Sequence, residues 1–256
     1  WWLRFYDNDL YGICSNRYQY MWVVDDYNNN IYKRYLCGEA VLDFATPGSK
    51  PRGLTFDGTY LWHVDDDTTP VIYRLDPNDG SSTLNFNAPG TEATGIAWDF
   101  DNSVLWHCDS VTDLIYKLDP TDGTVLDSFA APGGKPYGLE WFEGYLYNVD
   151  PTDRNIYKLD PADGAVVKTI PVPPDVGAAA TSPQAPWGIM FDGLVWVIGD
   201  YAEGGYLWGL YLPEDETEVV LGGMEIFVPT FSDPDGSMVL RRCFTNNSGG
   251  NVTIKK

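Results

Sequence analysis

Cationic side chains are scarce in this chain of 256 residues: 16 Lys and Arg stand against 37 Asp and Glu, a formal net charge of −21. So acidic a surface repels a phosphate backbone, and no basic stripe offsets the field, which disfavours nucleic-acid binding. Histidine is confined to His63 and His107. Cysteine is sparse too: Cys14, Cys37, Cys108 and Cys243 show no CxxC spacing, which argues against a zinc site or a disulfide framework. One bridge between Cys14 and Cys37 stays open, with buried free thiols the commoner outcome. No apolar run reaches the length of a membrane span, because charged, Gly and Pro positions interrupt each stretch. The chain is expected to be soluble, with no transmembrane segment. It also lacks an initiator methionine and a leader, opening on Trp1-Trp2, and so reads as a processed or trimmed form of something longer.

What is present is a folded composition, 44% hydrophobic and 15% aromatic, organised as a repeat. Five segments carry an x-x-Gly-apolar opening: Leu10-Tyr11-Gly12-Ile13, Pro51-Arg52-Gly53-Leu54, Ala93-Thr94-Gly95-Ile96, Pro136-Tyr137-Gly138-Leu139 and Pro186-Trp187-Gly188-Ile189. Their glycines lie 41, 42, 43 and 50 residues apart. Each opening leads to an aromatic-rich strand ending in Asp, such as Leu61-Trp62-His63-Val64-Asp65. A third strand follows, such as Ile115-Tyr116-Lys117-Leu118-Asp119, then a Pro-Thr-Asp-Gly turn and a fourth strand ending at Phe129. Asp-Pro starts the turn and Gly supplies the positive φ that reverses the chain. Four such strands make one twisted sheet with two apolar faces, and copies bury both faces by packing around an axis. The predicted class is an all-β β-propeller of about five four-stranded blades over residues 1–213. Trp1 to Phe5 is expected to close the ring as the outer strand of the last blade. Six blades follow if residues 213–256 or further sequence supply another.

The Gly-Leu-x-Phe-Asp-Gly and Ile-Tyr-Lys-Leu-Asp-Pro-x-Asp-Gly wording resembles propellers with NHL-type and related extracellular repeats, from residue 10 to about 212. That resemblance implies the architecture and leaves activity open, since such propellers host unrelated functions. The blade wording also resembles the five-bladed glutaminyl cyclases, but their Phe-Thr-Gln-Gly-Leu opening is absent. The Glu, Asn and Asp metal set of gluconolactonase-like propellers has no counterpart that can be placed, and the histidine motifs of streptogramin lyases are not reproduced. An enzyme of one of these kinds is the alternative reading.

Loops into the innermost strand and loops after the second strand share one face of such a disc. The latter carry Asp25-Asp26, Asp65-Asp66-Asp67, Asp109 with Asp113, Asp150 with Asp153, and Asp200, so that face should be acidic. Asp25, Asp67, Asp113 and Asp153 are the metal candidates, with Ca²⁺ the cation in view and otherwise no cofactor. No loop has Asp-x-Asp-x-Asp-Gly spacing, however, and Asp at a strand end is ordinary turn chemistry. His63 and His107 hold equivalent places in adjacent blades, where Val23, Asn148 and Val197 stand in the others; an inter-blade hydrogen bond is expected rather than catalysis. Trp22, Trp62, Trp106 and Trp196 are expected to wedge blades together. Tyr137 and Trp187 sit just before inner strands and are the aromatic ligand-contact candidates, with Asp65, Asp66, Asp109, Asp150 and Asp200 beside them.

Residues 171–186 read as a long Pro/Ala/Gly-rich loop. From Glu214 the blade signature stops, and 214–256 reads as a separate β-segment. Within it 242–254 is similar to a β-hairpin of bacteriophage tail and virion structural proteins, and Asn246 and Asn251 begin glycosylation sequons. The function expected is that of a non-enzymatic interaction or structural module on an extracellular or virion surface. It would be anchored through its C-terminal segment within a larger complex or homo-oligomer, with a protein or glycan as partner. A secreted sugar- or cation-binding protein is the remaining alternative.

Overall fold

A computed structural model of the chain describes residues 2–4, 10–36, 38–172, 178–179, 182–183, 186–192, 195–201, 204–210, 230–232 and 238–240, with side chains described within 10–36, 38–172 and 186–192 and at 197. The first strand is β1 (Trp2–Arg4). Four antiparallel sheets of consecutive strands follow: β2 (Leu10–Ser15), β3 (Tyr20–Asp25), β4 (Asn30–Tyr35) and β5 (Ala40–Ala45); β6 (Pro51–Phe56), β7 (Leu61–Asp65), β8 (Val71–Leu75) and β9 (Ser82–Asn87); β10 (Ala93–Asp99), β11 (Val104–Asp109), β12 (Leu114–Leu118) and β13 (Val125–Ala130); β14 (Leu139–Phe142), β15 (Tyr145–Asp150), β16 (Asn155–Leu159) and β17 (Val166–Pro171). A two-strand pair, β18 (Ala178–Ala179) and β19 (Ser182–Pro183), falls inside the long loop. Next come β20 (Pro186–Phe191), β21 (Val195–Tyr201) and β22 (Gly204–Leu210), and then β23 (Thr230–Ser232) pairs with β24 (Met238–Leu240).

The molecule is an all-β propeller. Among the described residues its self-contained blades number four, where the glycine spacing gave about five or six. The last sheet is composite: β20, β21 and β22 take the separate strand β1 as their fourth member, with Trp2 opposite Trp208 and Arg4 opposite Tyr206. The inner strands touch in the cyclic order β2, β6, β10, β14, β20 and back to β2. Of residues 213–256, the source proposed for a sixth blade, the described part is only the β23–β24 pair.

Local chemistry explains the blade. In the turns after the third strands, the amide of Gly80 donates to the Asp76 carbonyl at 2.9 Å, and Gly123 and Gly164 repeat the bond to Asp119 and Asp160. These glycines have φ between +73° and +78°, and a Cβ on each would collide with Phe44, Phe86 or Phe129 of the preceding blade's outer strand. Each turn therefore seats one blade on the next.

Between blades the second-strand aromatics act as wedges. Trp22 stacks on Phe56 at 4.9 Å, Trp62 on Trp98 at 6.2 Å, and Tyr147 meets Phe191 at 4.7 Å. Trp106 shares a core cluster with Trp141 of the following blade, and Trp196 lies outside the described side chains. The third-strand cation covers the same ring: Lys33 over Trp22 and Lys117 over Trp106, each at 5.3 Å, and Lys158 over Tyr147 at 5.7 Å. The lysine stems pack on these rings; Lys33 is the buried case, and desolvation lowers its pKa. Both sheet faces are thus covered, which is why second strands such as β7 are buried at every position.

Candidate functional site

The five inner strands bring their repeated openings to the propeller axis. Gly12, Gly53, Gly95 and Gly138 each lie so close to the backbone of the next blade that a Cβ would overlap it; for Gly53 the Thr94 carbonyl oxygen would be 2.8 Å away, and for Gly138 that of Trp187 would be 2.8 Å away. The residue before each glycine rings the axial mouth: Tyr11, Arg52, Thr94, Tyr137 and Trp187. Beneath them the glycines and the following Ile or Leu complete a cavity with about 280 Å³ of empty volume, mouth included. That volume takes in open solvent at the mouth; the enclosed part has room for roughly one water molecule.

Tyr137 and Trp187, the two aromatic candidates, are neighbours here, with ring centroids 4.7 Å apart, and Tyr11 joins Trp187 at 5.4 Å. Arg52 lies over the Tyr11 ring at 4.3 Å and pairs with Asp26 at 2.8 Å. Burial alone would weaken that guanidinium's hold on its proton, but Asp26 overrules it and raises the pKa. Thr94 Oγ1 is committed to the Pro136 and Cys108 carbonyls at 2.8 and 3.0 Å. Around Tyr137 stand Glu92, Asp66 and Ser110; burial first, then Glu92, push the phenol pKa up. Ser110 is 4% exposed, and its hydroxyl, near that of Tyr137, makes no hydrogen bond that satisfies distance and angle. The buried Trp187 Nε1 likewise lacks a partner.

The loop aspartates mostly tie the face together. Asp109 accepts from the amides of Thr91 and Glu92 in the loop before its own inner strand, at 2.5 and 2.6 Å, and from Val111 and Thr112 in its own turn, at 3.1 and 2.7 Å. Burial would raise its pKa, yet these donors hold it below the usual carboxylate value. Asp150 repeats the scheme with Lys135, Thr152 and Asp153. Asp65 receives long bonds from Lys50, at 3.3 Å, and burial followed by Asp67 raises it to about 6. Asp66 accepts from Ala93 at 3.0 Å; burial raises it, and Glu92 adds to the rise against Arg52 and Lys50.

Among the metal candidates, Asp25 caps Asn28, Asp67 binds Ser49 at 2.6 Å, and Asp153 accepts from Tyr157 at 2.8 Å. Asp113 has φ +54° and a buried Oδ1 without a partner. Among the described residues no three His, Cys, Asp or Glu side chains group as a metal site. The Asp200 side chain lies outside the described residues.

His63 Nδ1 is 3.1 Å from the Gly53 carbonyl and His107 Nδ1 is 2.9 Å from that of Gly95; in the next blade Asn148 Nδ2 donates to Gly138 at 3.1 Å. The bond is therefore within the blade, not between blades as expected. It pins the inner strand at its glycine, beside the bulges that break the register at 51–54 and 93–95. Nε2 of both rings and Oδ1 of Asn148 are buried without partners. Burial lowers both histidines to about 4, so they are neutral at pH 7. Cys14 and Cys108 are buried free thiols, their pKa values raised by burial, that of Cys108 to about 12. The bridge left open for Cys14 is not formed, and Cys37 lies outside the described residues.

Two functional candidates escaped the sequence reading. One is the Tyr11 and Arg52 half of the mouth, which alignment of the repeats on their glycines would have exposed. The other is Glu140, two residues after Gly138, where the other repeats carry Cys14, Thr55, Ala97 and Met190. It is 8% exposed, and burial lifts its pKa to about 8 against the pull of Arg17. Arg17 reaches from the first blade to the fourth, donating to the Trp141 carbonyl at 2.8 Å and standing 3.6 Å from Glu140. Phe100 and Phe142 flank its guanidinium at 5.2 and 5.5 Å.

No protein-family model and no curated protein matches the chain. Solved structures do. The glutaminyl cyclase of Myxococcus xanthus is 16% identical, with TM-score 0.69 over 82% of this chain and 94% of that one. A streptogramin B lyase is 17% identical, TM-score 0.52, over 96% and 88%. A chain of the nidogen/laminin complex is 18% identical, TM-score 0.52, over 71% and 67%. At these identities the likeness is one of fold.

Proposed function

We propose that this propeller is a non-enzymatic binding module that receives its ligand at the axial mouth. What carries the reading is the Tyr11, Trp187 and Tyr137 cluster, gathered from three blades around a cavity that neither histidine nor either described thiol lines. Aromatic faces with unsatisfied polar atoms beside them are what binding surfaces use. The test is capture of the full-length chain on glycan and peptide arrays. A ligand retained by the native chain and lost on Trp187→Ala or Tyr137→Ala, with melting temperature unchanged, is the expected result. Retention by both variants removes the mouth from consideration.

The same proposal has the module held on an extracellular or virion surface through residues 214–256. Its support is the wording of 242–254. A chain ending near Pro213 should then lose co-elution with its parent assembly while staying folded.

An enzymatic reading is favoured by one observation, the fold shared with a glutaminyl cyclase and lyases, and Glu140 would be its proton-transfer group. Turnover of an N-terminal glutaminyl peptide, abolished by Glu140→Gln, would overturn the module.

A further inference from the structure

The chain already shows how a cation sits at its mouth. Arg52 uses one aromatic face, Tyr11, and one carboxylate, Asp26. On the Tyr137 side the same pair of elements recurs without an occupant. No cation of the described residues lies over the Tyr137 or Trp187 ring; the charges that act on Tyr137 are Glu92, Arg52 and Asp66, and the two carboxylates repel one another. The Ser110 hydroxyl, 4% exposed, stands next to that of Tyr137. Arg52 acts on Asp26 and Asp66, and Lys50 on Asp66 and Asp67, within a chain of net charge −21. Exposed apolar groups stand on the same face, Tyr27 at 68% and Val111 at 59%, each two residues beyond a strand-ending aspartate.

We propose that the axial mouth seats one lysine or arginine side chain of a partner polypeptide, its cation between the Tyr137 and Trp187 rings and the Glu92 and Asp66 carboxylates, with apolar flanking residues on Tyr27 and Val111. This rests on the reading of the mouth as the binding site and adds the chemistry of what it binds. The enclosed cavity is water-sized, so the methylene stem would lie across the half-buried Tyr137 and Trp187 rings at the mouth. The rings attract the charged end, and the carboxylates balance a charge that water would otherwise keep. The long-range acidic field steers basic partners to this face and weakens with salt. Tyr27 and Val111 favour a polypeptide over a free amine, since only a polypeptide brings apolar neighbours with its cation.

The experiment labels the full-length chain with 5-fluorotryptophan and follows the Trp187 resonance by fluorine NMR, assigned through Trp187→Phe. The probes are nine-residue peptides of Gly and Ser with Leu-Lys-Leu at the centre, the same peptide with Arg, norleucine or Glu for Lys, then spermidine, and methyl glycosides. The Lys and Arg peptides should shift Trp187 saturably, at least tenfold tighter than norleucine. That preference should fall at least fivefold in Glu92→Gln, and likewise when NaCl rises from 50 to 500 mM. Equal shifts by the norleucine peptide or a glycoside would keep the mouth as a site and overturn cation recognition. Binding of spermidine alone would overturn the polypeptide partner. If no probe moves Trp187, the mouth is not a binding site and both readings fail. Asp66→Asn keeps an acceptor for the Ala93 amide and serves as a second charge variant should Glu92→Gln unfold.

Discussion

His63, His107 and Asn148 occupy one repeat position and perform one task, donating to the carbonyl of the inner-strand glycine. The amide does so without a charge at any pH; an imidazolium would still donate from Nδ1, but burial penalises its charge. With pKa values near 4 in the folded chain, against about 6.5 unfolded, the histidines bind protons first in the unfolded state. Their stabilisation is complete above pH ~6.5 and is lost as the pH falls toward 4. We expect the double variant H63N/H107N, which copies Asn148, to narrow the fall in melting temperature between pH 7 and pH 5. Asp65, raised to about 6 by burial, acts with the opposite sign, so its contribution to stability is lost as pH rises from ~4 toward 6. Comparing the double variant with the native chain isolates the histidines, and an unchanged fall would place the acid lability elsewhere.

At the scale of the strand, the inner-strand glycine sets how closely blades approach the axis. Gly95 is the sharpest case, because an added methyl would collide with the Tyr137 carbonyl and lie 2.9 Å from the Cys108 sulfur. Neither neighbour can yield, since the Cys108 sulfur is itself 3.1 Å from that carbonyl. We expect Gly95→Ala to cost ~1–3 kcal/mol, the usual range for overpacking, measured as a lower urea midpoint at unchanged slope. Gly134→Ala is the control: nothing lies within 4 Å of its Cβ position, and its midpoint should not move. The repeat of x-x-Gly at a period near forty made these strands and their order legible in the sequence. The reason for the glycine was not, because the atom it avoids belongs to the next blade, some forty residues away.

For the whole molecule the issue is closure. The composite sheet joins β1 to β22, and the blades on either side of it are the first and the fourth. Arg17 spans those two blades directly, from its own turn to Trp141 and Glu140, and so works as a second clasp across the seam. A chain starting at Leu10 loses β1 and bares the edge of β22, which should lower the melting temperature and promote aggregation. Arg17→Ala should cost more in that shortened chain than in the full one, because the remaining clasp then carries the seam alone. Urea midpoints of the four chains form the cycle that measures this coupling. Additive losses would mean that the two devices are independent.

Composition, turn chemistry and the internal repeat determined by themselves that the chain is an all-β propeller and which residues make inner strands; Tyr137 does precede one of them, while Trp187 lies inside β20. Those properties are local or periodic, and a repeat written five times declares its unit. Only the tertiary structure decided which repeats stand alone and which sheet borrows β1. It also joined Tyr137 and Trp187 to Tyr11 and Arg52, turned most loop aspartates inward to backbone amides, and carried Arg17 past a whole blade to Glu140. Each of these is a contact between residues far apart in sequence, fixed by the ring's radius and by the packing of one blade on the next.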